Sequence, residues 1–105
     1  ALFNQADYIN AALNFEKAIA QNPLEYSYYE NAATANYLTG NLDKAVDQID
    51  IVIKDMNPLD GKCEYIKALI YIKLGDPIGA CPLLQTSVDS GYQQALGTFN
   101  QYCNQ

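Results

Sequence analysis

Gly40-Asn41-Leu42-Asp43-Lys44-Ala45, followed by Ile49 and Val52, is the stretch from which the fold is read. Gly40 suits a left-handed helix stop, where a side chain would cost energy. Asn41 follows as a polar cap candidate for the next helix. Ala45, Ile49 and Val52 then lie at i, i+4 and i+7, one face of a helix. Working outward, the same phrase stands earlier as Ala6-Asp7-Tyr8-Ile9-Asn10-Ala11 with Phe15 and Ala18. It stands later as Gly75-Asp76-Pro77-Ile78-Gly79-Ala80 with Leu84 and Ser87. Ala11 to Ala45 is 34 residues and Ala45 to Ala80 is 35, a period that marks a helical repeat.

Each unit therefore reads as two helices joined by a tight turn. Helices are expected near Tyr8–Gln21, Glu25–Leu38, Leu42–Met56, Asp60–Leu74 and Pro77–Ser90, with a last one over about Tyr92–Tyr102. Asp7, Asn41 and Asp76 are the expected caps, and Pro77 suits a first helical turn. Pro23 and Pro58 close the first two units, beyond a helix end, where proline is tolerated. No strand pattern or linker interrupts this order. The expected organisation is one all-α domain over 1–105: a partial repeat 1–25, repeats 26–60 and 61–91, and a cap helix 92–105.

Composition narrows the function classes. The chain has 105 residues, half of them apolar, with six Lys against twelve Asp plus Glu and a formal charge of −6. That is a folding composition. A nucleic-acid binder needs a basic stripe to neutralise phosphates, and none is present. The longest strongly apolar stretch, Ala68 to Ile72, is flanked by Lys67 and Lys73, far short of the roughly 18 residues of a membrane span. With no His, a Cys nucleophile lacks its usual base, and Cys63, Cys81 and Cys103 are too scattered for a zinc site. Asp43 with Asp47, and Asp47 with Asp50, stand at helical spacing, which reads as a solvated acidic face. No catalytic residue, metal site or cofactor is expected, and the chain is not read as an enzyme.

Period, turn and small-residue pattern together resemble the tetratricopeptide repeat. Ala33, Gly40, Leu42, Ala45, Ile49 and Val52 hold its signature places in the middle unit; Ala68, Gly75, Ala80, Leu84 and Ser87 hold them in the last. In the first unit Ala6, Tyr8, Ala11, Phe15, Ala18 and Pro23 match, without a first helix. The resemblance implies a right-handed α-solenoid of about two and a half repeats plus a capping helix. A Sel1-like array has a similar rhythm, but the proline endings fit the tetratricopeptide pattern better. The run Leu74-Gly75-Asp76-Pro77-Ile78-Gly79-Ala80-Cys81, then Ser90-Gly91-Tyr92, then Gln101-Tyr102-Cys103, resembles the C-terminal end of repeat proteins common in the Bacteroidetes. That likeness implies a periplasmic or cell-envelope setting, with the cytoplasm as the alternative.

The resemblance also implies a groove. Its expected lining in the middle unit is Ser27, Glu30, Asn31, Thr34, Tyr37 and Leu38; in the last unit it is Lys62, Tyr65, Ile66, Leu69, Ile72 and Lys73. The guest would be a protein or peptide with hydrophobic anchors. Some relatives grip a terminal carboxylate, but Ile66 stands where a cation is needed, so that clamp is not expected. The function implied is an interaction scaffold in an envelope assembly; the rival is a regulatory or tethering repeat domain of a larger enzyme or signalling protein, or a Sel1-like adaptor. Tyr29 and Tyr71 are expected in ordinary packing, Tyr37 and Tyr65 toward the groove. With the first unit's leading helix missing, the face around Phe15 needs either further repeats ahead of Ala1 or another molecule as its cover, and self-association through that end is expected.

Cys81 lies near the start of one helix and Cys103 near the end of the next. If those helices run antiparallel about the Ser90-Gly91 turn, the two thiols meet. A disulfide is expected in an oxidising compartment, the alternative being two reduced thiols packed as small hydrophobes. Cys63 falls outside this pair, as a buried helix residue.

Overall fold

The computed structural model describes residues 5–56 and 58–103. The expected ends at 1 and 105, and the Ala6 side chain, lie outside the described residues. The chain is all-helical, and no strand occurs among the described residues. It divides after Met56 into two compact units.

The first unit holds α1 (Gln5–Gln21), α2 (Tyr26–Thr39) and α3 (Leu42–Ile51), which continues into a π-helical turn at Val52–Met56. Consecutive helices pack on one another, α1 on α2 and α2 on α3. α2 makes its close approaches with small side chains: Ala32, Ala33 and Ala35 are buried. Gly40 ends α2 at φ 84°, and its N–H donates to the Asn36 and Tyr37 carbonyls. No atom lies within 4 Å of where a Gly40 Cβ would sit, so glycine is needed there for the backbone angle alone. Tyr29 is buried, as expected of a packing residue, and its hydroxyl donates to the Pro23 carbonyl at 3.1 Å.

Three local expectations need correction. Asp7 lies within the first turn of α1, not at a cap. Asn41 holds the cap position of α3 but makes no side-chain cap bond; Glu25, ahead of α2, accepts from Ser27 N–H instead. The helix expected to run unbroken to Met56 changes to a π ladder at Val52. Side-chain spacing does not report that change, because Ile49, Val52 and Met56 satisfy the three-to-four spacing under either ladder.

The second unit holds α4 (Lys62–Lys73), α5 (Pro77–Asp89) and α6 (Gln94–Tyr102), again packed in chain order. Asp76 caps α5 as expected, its Oδ1 accepting from Gly79 N–H at 2.9 Å. A Cβ on Gly79 would overlap that carboxylate, so the cap and the glycine are coupled. Ala68, Ala80, Leu84 and Ala95 form the buried centre, with Tyr65, Tyr71, Ile72, Tyr92 and Phe99 packed around it. Lys67 Nζ sits 5.7 Å from the centre of the Tyr71 ring, as a cation over a π face.

The repeat register is visible in burial. Ala45, Ile49 and Val52, and likewise Ala80, Leu84 and Ser87, are fully buried. The equivalent Ala11, Phe15 and Ala18 of α1 are half-buried.

Candidate functional site

On α2, residues 27, 31, 34 and 38 recur at i, i+4, i+7 and i+11, one face of the helix. Asn31, Thr34 and Leu38 are exposed there, Leu38 at 42%, while Ser27 and Tyr37 are half-buried. The Thr34 hydroxyl bonds back to the Glu30 carbonyl at 2.9 Å, and the Ser27 hydroxyl donates to Glu25 Oε1 at 3.1 Å. The stripe therefore presents an amide, two satisfied hydroxyls and a leucine. Glu30, expected in the same lining, is buried at 4% exposure and is not offered to solvent.

On α4 the expected lining is divided. Lys73 is exposed, and Lys62 and Leu69 are half-buried. Ile66 is buried. Tyr65 and Ile72 pack against the buried centre of their own unit. Tyr65 also meets Tyr92 at a ring-centre distance of 5.2 Å and a tilt of 42°, so its ring is committed to holding α4 and the α5–α6 turn together. Spacing on one helix does not tell which side faces a partner, which is why the sequence placed Tyr65 in the groove.

The first unit also holds a polar knot that no sequence motif announces. Glu16 Oε2 accepts from Lys44 Nζ at 2.9 Å, from Gln48 Nε2 at 2.9 Å and from Asn36 Nδ2 at 3.5 Å. Asn36 Nδ2 also donates to Gln48 Oε1 at 2.8 Å, and both amides are buried. Burial pushes the Glu16 carboxyl up, but the hydrogen bonds from Lys44, Gln48 and Asn36 and the charge of Lys44 together outweigh it. The carboxyl is held below its ordinary value. The knot joins α1, α2 and α3, and its Glu16, Asn36 and Lys44, with Thr39 and Asn41, form the polar side of a pocket of about 100 Å³ whose apolar side is Ile9, Ala12 and Leu13. Glu16, Asn36, Lys44 and Gln48 fall on three helices, so no motif in the chain announces them.

In the second unit a shallower depression of about 510 Å³ lies at the α5–α6 turn, lined by Val88, Gly91, Tyr92, Gln93 and Leu96. Cys81 and Cys103 are joined by a disulfide, with Cα atoms 5.7 Å apart. Such a bridge is consistent with an oxidising compartment. Cys63, outside the bridge, is fully buried in α4. Among the described residues, no group of three or more Cys, Asp or Glu is placed to hold a metal ion, and no helix is long and apolar enough to cross a membrane.

No family model, curated protein or solved structure matches the chain.

Proposed function

We propose that this chain is a tetratricopeptide-like binding module that holds a protein or peptide along α2 and performs no chemistry itself. The observation that carries the reading is the open face of α2. Its alanines take the helix packing, while Asn31, Thr34 and Leu38 remain toward solvent. Tyr29, Glu30 and Asn36 are buried with the alanines on the packed side, so the side left for a guest is the one that carries Asn31, Thr34 and Leu38. The in-phase burial of Ala45, Ile49 and Val52 and of Ala80, Leu84 and Ser87 supports the repeat reading. The disulfide supports a periplasmic or envelope setting.

The test is selection of binding peptides from a displayed library on the immobilised chain, followed by titration against wild type and Leu38→Asp. Leu38 is exposed, so the substitution leaves the fold intact. Peptides that bind the wild type and lose about ten-fold or more in affinity for the variant are expected, since burying a lone charge against an apolar anchor opposes binding. Equal affinity for both proteins removes the assignment to α2.

A second reading concerns α1. Ile9 and Leu13 are about half exposed, at 48% and 50%, and Phe15 is half-buried where its counterparts Ile49 and Leu84 are sealed. Repeats bury their apolar faces against neighbours. These residues support self-association of the chain through α1.

A further inference from the structure

We propose that the Cys81–Cys103 disulfide is a redox latch on α6, so that its reduction releases this last helix from α5. The inference is independent of any guest on α2.

α6 is a weak helix by its own sequence. It has nine residues, QALGTFNQY, and isolated helices shorter than about 12–15 residues are marginal in water. Gly97, Thr98 and Asn100 are poor helix formers. Gln93 at its start makes no side-chain cap bond, and no basic residue sits in its last turn to complement the dipole. Its position must come from tertiary contacts.

Those contacts are few. Ala95 is the buried residue of α6, and Phe99 is half-buried against the Ala80–Leu84 cluster. Leu96, on the same helix, is 51% exposed. α6 packs chiefly on α5. What pins it is its two ends. At the near end, Gly91 turns the chain at φ 93° and Tyr92 N–H donates to the Ser87 carbonyl at 3.1 Å. At the far end, Cys103, just past the last turn, is bonded to Cys81 in the first half of α5. Cut that bond and a short, poorly capped helix is left hinged at Gly91.

Both cysteines are half-buried, so neither residue is sealed in the core. A dithiol reductant supplies the chemistry. One thiolate attacks a sulfur of the bridge, displacing the other as a thiolate that takes up a proton. The second reductant thiolate then breaks the mixed disulfide, and the remaining cysteine takes up its proton. The dithiol leaves as a disulfide, having given two electrons, and Cys81 and Cys103 end as thiols. The released helix uncovers Ala80 and Leu84 on α5.

The experiment is amide hydrogen exchange by mass spectrometry on the full chain, oxidised and in dithiothreitol, with Cys81→Ser/Cys103→Ser as a second reduced state. Protection over 94–102 is expected to fall roughly ten-fold or more on reduction and in the variant, and to fall clearly further than that of α4 and α5. Unchanged protection of α6 on reduction overturns the proposal, because packing alone would then hold the helix. Equal loss across α4, α5 and α6 also overturns it, because the bond would then hold the whole unit and not a latch. Should the variant fail to fold, the wild-type chain with and without dithiothreitol gives the answer by itself.

Discussion

Ser87 Oγ donates to the carbonyl of Gly61 at 2.7 Å, inside the second unit and across 26 residues of chain. Ser87 holds the place that Ala18 and Val52 hold in the other repeats, so the hydroxyl is specific to this unit. It is a second donor to a carbonyl at the start of α4 that also accepts from Tyr65 N–H at 3.1 Å, and it ties the last turn of α5 to that point. Replacing Ser87 by Ala leaves that carbonyl buried without this partner, at a cost of about 1–2 kcal/mol in urea unfolding. A loss below about 0.3 kcal/mol would show that the Tyr65 N–H alone suffices for the carbonyl.

Gly61 and Gly40 should respond differently to the same change. Both are left-handed, at φ 80° and 84°. At Gly40 a methyl group meets nothing within 4 Å, so Gly40→Ala should cost only the backbone term of about 1 kcal/mol. At Gly61 it would lie 2.8 Å from the Ser87 carbonyl oxygen and 3.0 Å from its Cα, both backbone. Gly61→Ala should therefore cost about 2–3 kcal/mol, since the α4–α5 contact must open as well. Thermal unfolding of the two variants side by side decides it; equal losses would mean that the close approach carries no energy.

Glu16 gives the first unit a dependence on pH. Its folded carboxyl lies below the ordinary value of 4.5, so the folded state favours the charged form. The contribution is fully present above that ordinary value and is lost as pH falls through the lower, folded one. Wild type should lose more stability than Glu16→Gln between pH 6 and pH 3, followed by urea midpoints at each pH. Parallel curves for the two proteins would show that the Lys44, Gln48 and Asn36 bonds do not favour the carboxylate.

Removing the Cys81–Cys103 bond should lower stability by about 3 kcal/mol in the chain-entropy view, given the 22-residue separation. Urea unfolding with and without reductant measures it. The intact mass of the unreduced chain checks the premise: it should be lighter than the fully reduced chain by two hydrogens.

Sedimentation tests the open face of α1. The chain should associate with rising concentration, and Leu13→Asp should keep it monomeric, because a charge at a half-exposed apolar contact opposes burial. A clean monomer for wild type at high concentration removes that reading.

The sequence by itself determined the helices, their stops and the seam. Those features are local: Gly40 and Gly75 end helices through their own φ, Asp76 caps through a neighbour three residues on, and Ala80, Leu84 and Ser87 share a face through helical geometry alone. The cysteine pairing was within reach too, because a tight turn between two helices leaves their far ends side by side. Only the tertiary structure decided that Tyr65 packs on Tyr92, that Glu30 and Ile66 are buried, and that Glu16, Asn36, Lys44 and Gln48 form one knot. Helical spacing says which side chains share a face; which faces meet depends on contacts between residues far apart in the chain. The bond between Ser87 and Gly61 belongs to that second kind.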